Sequence, residues 1–433
     1  MNTLHALWTA ALKTGESLIE DLSNLREHIV AKIETALSQP AAIRGLFRHL
    51  REHHPILKLP RLAIVSRYED VIEVLSQDQI FTVGEIYKRK MEATTGDFIL
   101  GYENGPVYLR EATLMRQAVL PEDIDRVKTL TAEYSSLLVA QAVPRGRIDV
   151  VDGLSRVTPT RLIETYFGIP IQSETQMQRW MRILFHEIFV NIGNEPNVAA
   201  DASLAGKELA AYLDAVIVQR KIELESGHFA GDDFLTRLIK MQLDPANNLS
   251  NCDIRRFVGG TIVGTVDTNS RAMAQGFDQL LDRPVELEGA RQAALNDDDE
   301  LLSKYIYEAM RFNPQNPILF RHCSQDYTVA RGTDREKTIP AGDLVVAGTL
   351  SAMFDESKFP EPETFRLDRP FQNYILYGYG QHECFGKHIS TAMIPQTLKP
   401  LLKLPNIKRA PGDDGQLKYE GAFPNNLWVE FGE

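Results

Sequence analysis

The sequence predicts a mainly α protein with small β regions, an α+β fold class. Apolar residues recur at helical spacing through most of the stretch from about residue 105 to 310. Short β-branched runs bounded by turn residues occur instead near both ends of the chain, within 61–75 and 318–350. The sequence contains no internal repeat and no Pro/Gly/Ser-rich linker, so one main domain is expected to hold both kinds of element.

Composition indicates a large globular protein. The chain has 433 residues, 43% of them hydrophobic, which is enough for an extensive buried core. Its net charge of -12 argues against nucleic acid as a partner, because generic nucleic-acid binders are basic. The cysteines Cys252, Cys323 and Cys384 are odd in number and widely spaced, which favours a reducing compartment over a disulfide framework.

The N-terminal region predicts neither a membrane span nor a secretory signal. No apolar run approaches the roughly 20 residues of a transmembrane helix, and the first residues lack a basic segment followed by an apolar one. We therefore expect a cytoplasmic protein with no transmembrane segment. Apolar spacing over 4–37 predicts an amphipathic helical extension at 1–50, followed by a single domain at 51–433. Packing on that domain is its favoured role, with membrane-surface docking and dimerisation as alternatives.

Two segments predict the strands near the ends of the chain. RLAIVSRYEDVIEVL (61–75) predicts a short strand, a polar turn and then a helix. IPAGDLVVAG (339–348) predicts a Pro-Ala-Gly turn followed by a β-branched strand. Both patterns place strands outside the helical middle of the chain.

The stretch YGYGQHECFGKHIS (377–390) contains the most informative cysteine, Cys384. A thiolate binds metals, attacks electrophiles, or lies buried and inert. Structural zinc needs about four ligands; His382 and His388 are close, but the sequence offers no Cys-x-x-Cys partner. A nucleophilic cysteine needs a neighbouring base, for which His382 is available.

The glycines of this loop favour a third use for Cys384. Glycine adopts left-handed backbone conformations and lets the chain lie close to a flat ligand. The loop has three of them, Gly378, Gly380 and Gly386. A cysteine in such a loop, with backbone N–H groups turned toward its sulfur, suits an iron–thiolate bond, and thiolate-ligated haem favours O–O cleavage.

The loop resembles the haem-binding signature of the cytochrome P450 family, Phe-x-x-Gly-x-x-x-Cys-x-Gly. Cys384 occupies the position of the haem ligand, and Tyr377 replaces the usual phenylalanine. The ring of Tyr377 stays beneath the sulfur, but its hydroxyl needs a partner. The resemblance implies that Tyr377, Gly378 and Gly386 contact the cofactor. It covers about residues 55–431 and implies the mainly α cytochrome P450 fold.

Two further segments extend the resemblance. YEAMR contains Glu308 and Arg311 in the family's Glu-x-x-Arg motif, and FPEPETFRLDR supplies Arg369. Alone, a Glu–Arg pair three residues apart predicts only a weak surface ion pair. The resemblance implies instead that Glu308 is buried between two arginines, whose charge-assisted bonds hold the cysteine loop.

The segment GGTIVGTVDTNSRAM (259–273) resembles the family's distal helix. By that resemblance Asp267 and Thr268 are the carboxylate and hydroxyl that deliver protons during oxygen activation. Thr265 stands where glycine is usual, which is expected to alter the helix groove. Without the resemblance, the Thr268 hydroxyl would be expected to bond back to its own helix.

The carboxylates of haem need cationic or hydrogen-bonding partners. The resemblance places Arg321 and His382 at them. A third contact normally comes from a helix beginning Pro-x-His-x-x-x-Arg, matched here by PVYLREATLMR (106–116). Tyr108 takes the histidine position, and Arg116 is favoured over Arg110 as the substitute for the missing arginine.

The resemblance implies a haem-thiolate monooxygenase with haem b (iron protoporphyrin IX) and a hydrophobic small-molecule substrate. Electrons are expected from separate proteins, a ferredoxin or flavodoxin and its reductase. Two alternatives stay open. One is a partner-free enzyme that uses peroxide or rearranges a lipid hydroperoxide, and the other is a non-catalytic haem-binding carrier.

Three segments are expected to line the substrate pocket: 85–105, 257–268 and 316–320. The glycines of GDFILGYENG (96–105) indicate a mobile lid. In the helix after the cysteine, Pro395 is expected to cause a kink. Basic residues on this face, which would steer an acidic redox partner or merely be solvated, are Lys387, Lys399, Lys403, Lys408 and Arg409.

Overall fold

The computed structural model describes residues 40–229 and 231–432, and helices dominate them. The α-helices are α1 (Pro40–His53), α2 (Tyr68–Ser76), α3 (Gly84–Glu92), α4 (Pro106–Ala118), α5 (Ile124–Ala142), α6 (Val157–Thr165), α7 (Glu174–Phe185), α8 (Pro196–Glu225), α9 (Phe234–Gln242), α10 (Asn251–Val263), α11 (Val266–Leu281), α12 (Pro284–Leu295), α13 (Asp299–Phe312), α14 (Thr349–Ala352) and α15 (Lys387–Leu402). Within the described residues, none of these helices is long and apolar enough to cross a membrane.

The strands form small sheets at the edges of the helical body. They are β1 (Ile56–Leu59), β2 (Leu62–Val65), β3 (Phe81–Thr82), β4 (Arg147–Asp149), β5 (Leu319–Cys323), β6 (Tyr327–Val329), β7 (Lys337–Ile339), β8 (Leu344–Ala347), β9 (Lys408–Arg409), β10 (Lys418–Glu420), β11 (Phe423–Asn426) and β12 (Trp428–Glu430). The largest sheet has the order β1-β2-β8-β5-β3, and β2 pairs with β8 in parallel. A three-stranded sheet, β4-β12-β9, and the hairpins β6-β7 and β10-β11 complete the set. The predicted α+β class is confirmed.

The strand predictions near both ends are confirmed. Residues 61–75 form β2 and then α2, and Gly342 takes a left-handed conformation (φ 87°) in the turn before β8. In β2 and β8, β-branched side chains from both ends of the sequence pair residue by residue, with Ile64 opposite Val346. This pairing brings the two predicted strand regions into one sheet.

Helix α1 packs on the main body of the protein. Ile43, Phe47 and Leu50 are buried in one cluster with Phe320 of β5 and Val346 of β8. The domain boundary predicted after residue 50 thus falls inside a helix that shares this core. The predicted amphipathic stretch 4–37 lies outside the described residues.

Helix α15 continues past Pro395, the residue predicted to kink it, up to Leu402. Proline has no N–H, so the carbonyl of Thr391, four residues earlier, loses its helical donor. The hydroxyl of Tyr307 in α13 donates to that carbonyl at 3.1 Å. A side chain from a neighbouring helix therefore satisfies the acceptor that the proline leaves free.

Replacing Tyr307 by phenylalanine is expected to lower the free energy of unfolding by about 1 kcal/mol, because the half-buried Thr391 carbonyl loses its donor. Chemical denaturation of the haem-free protein measures this. Tyr305→Phe is the matched control, since within the described residues the Tyr305 hydroxyl in the same helix forms no hydrogen bond. Equal stability losses in both variants would contradict the role of Tyr307.

Candidate active site

A cavity lies between the helices α10 and α11 and the loop that contains Cys384. Gly264 and Thr268 line it on the helix side, and Cys384 and Ile389 line it on the loop side. The helix side is interrupted at Gly264 and Thr265, between the end of α10 and the start of α11. The thiol and the Thr268 helix thus face one internal space.

The cysteine loop is shaped by glycines at two of the three predicted positions. Gly378 and Gly380 have φ values of 78° and 74°, which side chains other than glycine rarely adopt. At Gly380 a Cβ atom would also lie only 2.5 Å from the Leu75 carbonyl oxygen. Gly386 corrects the prediction, because its φ of -81° is an ordinary value. A Cβ at Gly386 would instead lie 3.9 Å from the Cys384 sulfur.

Cys384 is deep in the fold, yet its side chain is open to the cavity. Its backbone N–H donates to the Tyr377 carbonyl at 2.8 Å, which closes the loop beneath the sulfur. Burial raises the pKa of the thiol, while a hydrogen bond from the Gly386 backbone N–H opposes that shift. The donors that would stabilise a thiolate therefore come from the backbone.

Tyr377 lines the cavity and packs against the buried cluster that contains Tyr307. Its hydroxyl is buried near that of Tyr307, and burial together with this neighbour raises the pKa of Tyr377 well above its usual value. Tyr377 is therefore a neutral phenol. Within the described residues, the buried Tyr377 hydroxyl has no hydrogen-bond partner, and the Tyr307 hydroxyl near it donates to Thr391 instead.

A fully buried ion pair lies behind the loop. Both oxygens of Glu308 accept from Arg311, at 2.7 and 2.9 Å, and neither residue is exposed. Arg369 Nε donates to Glu308 at 3.2 Å, as predicted, and the Tyr374 hydroxyl donates to it at 2.7 Å. Since Tyr374 precedes Tyr377 by three residues, this network anchors the start of the loop.

Arg321 and His382, the residues predicted to bind the propionates, both line the cavity. Arg321 is 4% exposed and donates to the Phe320 carbonyl at 2.8 Å. Burial and the neighbouring Arg321 lower the pKa of His382 to about 4, so its ring is neutral. Within the described residues, the buried Nε2 of His382 has no hydrogen-bond partner. A buried cation and a free imidazole nitrogen on one wall fit the carboxylates of a haem.

The helix α4 contributes less to the cavity than predicted. Tyr108 lines it, but its hydroxyl already donates to the Gln381 carbonyl at 2.6 Å. Arg110 donates to two backbone carbonyls near the start of α10 and is thereby held away from the cavity. Arg116 is exposed and lies over the ring of Phe385, next to the cysteine, at 6.0 Å. Of the two predicted alternatives, Arg116 lies nearer the loop, although outside the cavity wall.

Asp267 and Thr268 are adjacent in sequence but have different partners. The Thr268 side chain lines the cavity, and its hydroxyl donates to the Gly264 carbonyl at 2.5 Å. Asp267 is buried outside the cavity wall and accepts from Arg182 Nε at 2.8 Å. Burial raises the pKa of Asp267, against the effect of Arg182. Arg182 lies 85 residues away, and no sequence motif indicated it.

The chain matches the family model described as Cytochrome P450 over residues 60–426. It belongs to the cytochrome P450 family. Relatives in this family are named as a hydroxylase/epoxidase and an epoxidase, which supports an oxidoreductase with a haem cofactor over the carrier alternative.

Curated relatives include oxygenases from bacteria and fungi. Mycinamicin IV hydroxylase/epoxidase of Micromonospora griseorubida is 25% identical over 378 residues, which cover 84% of this P450 and 89% of the relative. Psi-producing oxygenase A of Emericella nidulans is 28% identical over 304 residues, which cover 63% of this P450. The match covers only 27% of that longer relative.

Solved structures confirm the P450 fold. CalO2 has a TM-score of 0.78 at 21% identity, with 91% of this chain and 96% of CalO2 covered. P450BioI, solved with an acyl carrier protein carrying hexadec-9Z-enoic acid, has a TM-score of 0.78 at 18% identity, with 92% and 100% covered. At these identities the likeness shows the fold alone.

Several aromatic side chains line the P450 cavity. Each predicted segment contributes, for example through Phe98, Thr261 and Phe320. Sequence reasoning missed Phe167, which follows α6, and the pair Phe185 and Phe189 at the end of α7. Phe185 and Phe189 are four residues apart, and their ring centroids are 4.6 Å apart. Their i, i+4 spacing was the sequence signal that both rings lie on one helix face. Nothing local distinguished that pair from ordinary core residues.

Proposed function

We propose that this P450 inserts one oxygen atom from O2 into a hydrophobic small molecule, with haem b as its cofactor and electrons from separate redox proteins. One observation carries the proposal. The cavity is lined by Cys384 from the loop, by Thr268 from α11 and by several aromatic side chains. Such a lining binds apolar molecules and excludes water from the reacting centre.

The residues present fit a haem. Cys384 would bind the haem iron through its sulfur, and Arg321 and His382 would bind the propionates, with Arg116 as a weaker contact. Tyr108 packs edge-on against the His382 ring at a centroid distance of 5.3 Å and so holds its orientation. When bound, haem supplies the activation of dioxygen, which a thiolate ligand favours.

Proton delivery is assigned to Thr268 and Asp267. Thr268 presents a hydroxyl at the cavity wall, where it holds a proton at its Oγ1. Arg182, whose side chain is 23% exposed, links Asp267 to the protein surface. For a proton to pass inward, the Asp267 carboxyl must turn from Arg182 toward Thr268. Its raised pKa favours this step, because the protonated form is held less tightly by the guanidinium.

Thr268→Ala is expected to uncouple electron use from product formation. Without the hydroxyl, no side chain at this position delivers the proton to the reacting oxygen. A positioned acid typically raises the rate by about a hundredfold or more. We expect the fraction of consumed NAD(P)H recovered as product to fall about tenfold, with the missing electrons recovered as hydrogen peroxide.

Thr261→Ala is the matched control for this test. Thr261 lines the same cavity, and its hydroxyl likewise donates to a backbone carbonyl of its own helix, that of Phe257, at 2.7 Å. Coupling should stay near the wild-type value in this variant. Unchanged coupling in Thr268→Ala would remove Thr268 from the proton path.

The face expected to attract a redox partner is largely neutralised. Lys387 pairs with Glu383, and Lys399 and Lys403 both pair with Asp297, at 2.6–2.9 Å. Arg409 pairs with two aspartates in the same way. These basic residues therefore give little net field for steering an acidic ferredoxin or flavodoxin.

A peroxide-driven or hydroperoxide-rearranging enzyme is the second candidate. The observation that favours it is the Asp267–Arg182 pair, because it holds the carboxylate away from the cavity. Two assays of the haem-loaded protein distinguish the candidates. One supplies a ferredoxin, its reductase and isotopically labelled O2, and the other supplies hydrogen peroxide alone. Label in the product supports the monooxygenase. Product from peroxide only, with none from the ferredoxin system, would support the second candidate instead.

A further inference from the structure

Two neutral polar side chains line the cavity and have no hydrogen-bond partner within the described residues. They are the carboxamides of Gln315 and Asn316, here called the carboxamide pair, and both residues are half-buried. The pair lies between the end of α13 and the start of β5. It is separate from Arg321 and His382, which fit the carboxylates of the haem.

The polar side chains on the helix side of the cavity are, in contrast, already engaged. Thr261, Thr265, Thr268 and Asn269 all line the cavity, and each donates to the backbone carbonyl four residues earlier, at 2.5–3.0 Å. Arg271, in the same helix wall, has an interaction partner as well. The helix side therefore keeps its own donors occupied, whereas the carboxamide pair does not.

The backbone fixes the position of the carboxamide pair. The Thr349 hydroxyl of α14 donates to the Asn316 carbonyl at 2.9 Å, and the Leu350 N–H donates to the Pro317 carbonyl at 3.0 Å. A proline on each side of the pair restricts the backbone further. The segment is thus held at the cavity wall without using the polar atoms of the two carboxamides.

An unpaired carboxamide discriminates between bound molecules. A wholly apolar substrate would displace water from the pair and leave its N–H and C=O groups without partners, which is unfavourable. A substrate oxygen placed against the pair would accept from an N–H group and remove that cost. A site built to hydrogen-bond a substrate group rejects the analogue that lacks the group.

We propose that the substrate of this P450 is a neutral molecule with an apolar body and a carbonyl or hydroxyl oxygen, and that Gln315 and Asn316 bind this oxygen. The inference rests on the proposed function, whose substrate class it narrows. The two residues are specificity-determining, because they select among apolar molecules by one polar group and hold the remainder of the substrate in a fixed orientation.

The test is binding, measured by the spin-state shift of the haem-loaded full chain. Two sets of probes share a carbon skeleton within each set. One set is 4-phenylcyclohexanone, 4-phenylcyclohexanol and phenylcyclohexane, and the other is 2-acetylnaphthalene, 1-(2-naphthyl)ethanol and 2-ethylnaphthalene. In at least one set, wild type should bind the ketone or the alcohol about five- to tenfold more tightly than the hydrocarbon. The member that binds more tightly distinguishes a carbonyl from a hydroxyl substrate.

Gln315→Met and Asn316→Leu replace the carboxamides by apolar side chains of similar size. The double variant should bring the ratio of affinities to about one, mainly by binding the hydrocarbon more tightly, and each single variant should lower it in part. Thr261→Val is the matched control, because it also replaces a polar cavity side chain by an apolar one. The Thr261 hydroxyl is bonded to the Phe257 carbonyl, so the ketone preference should stay at the wild-type value.

The reduced carbon monoxide spectrum identifies any variant that has lost its haem site, and the single variants then supply the comparison. In both sets, equal or tighter wild-type binding of the hydrocarbon, or no binding of the oxygenated probes, would overturn the proposal. A preference for oxygenated probes that survives in a folded double variant would overturn it as well. These ratios are measured without turnover, and oxygen incorporation from labelled O2 is measured without them, so the two proposals fail separately.

Discussion

Cys384→Ser is expected to abolish both the thiolate signature and the oxygenase activity. Serine keeps the size of the side chain but removes the sulfur, so the proposed haem ligand loses its electron donation. The reduced carbon monoxide complex of wild type should show a strongly red-shifted Soret band, which the variant should lack. Product formation should fall to the level of the assay without enzyme.

Cys252→Ser is the matched control. Cys252 is exposed at the start of α10 and is not part of the cavity wall. Its replacement should change neither the spectrum nor turnover. A red-shifted band that persists in Cys384→Ser would show that another group ligates the iron, and the proposed role of Cys384 would be wrong.

Glu308→Ala is expected to be the most destabilising single substitution among those considered. It leaves the guanidinium of Arg311 fully buried beside aromatic rings without its carboxylate partner, which typically costs about 3–5 kcal/mol. It also frees Tyr374, whose hydroxyl holds the start of the cysteine loop. Unfolding by urea should show the loss of stability, and haem retention during gel filtration should fall in parallel.

The control lies on the same helix. Lys304 and Glu300 form an exposed ion pair in α13 at 2.7 Å. Lys304→Ala should leave the free energy of unfolding almost unchanged, because solvent screens the pair. If Glu308→Ala were as mild as Lys304→Ala, the buried network would not be what holds the loop.

The contrast between these two pairs shows a limit of sequence reasoning. In the sequence, Glu308–Arg311 and Glu300–Lys304 are both pairs of opposite charges on one helix face. Local spacing therefore predicts the same small contribution to stability for each pair. The difference is burial, which depends on segments far along the chain such as the one that supplies Arg369. Only the family resemblance distinguished the first pair before the structure was known.

Contiguous features were predictable for a physical reason. The fold class, the strands at 61–75 and 339–348, and the cysteine loop each depend on residues close together in sequence, where periodicity, turn chemistry and motif spacing act directly. In the same loop, residue type alone did not predict the backbone conformation of each glycine. Gly378 and Gly380 adopt left-handed conformations, but Gly386 does not, although the residue type is the same.

By itself the sequence determined the helical class of this protein, the cysteine proposed as the haem ligand and the proximity of Asp267 to Thr268 along one helix. The tertiary structure alone decided what those groups face. It placed Asp267 against Arg182, paired most of the basic residues near α15 with aspartates or glutamate, and set Arg271 in the cavity wall. Each outcome depends on contacts between segments distant in sequence, and such contacts are set by the packing of the whole chain, which local spacing does not encode.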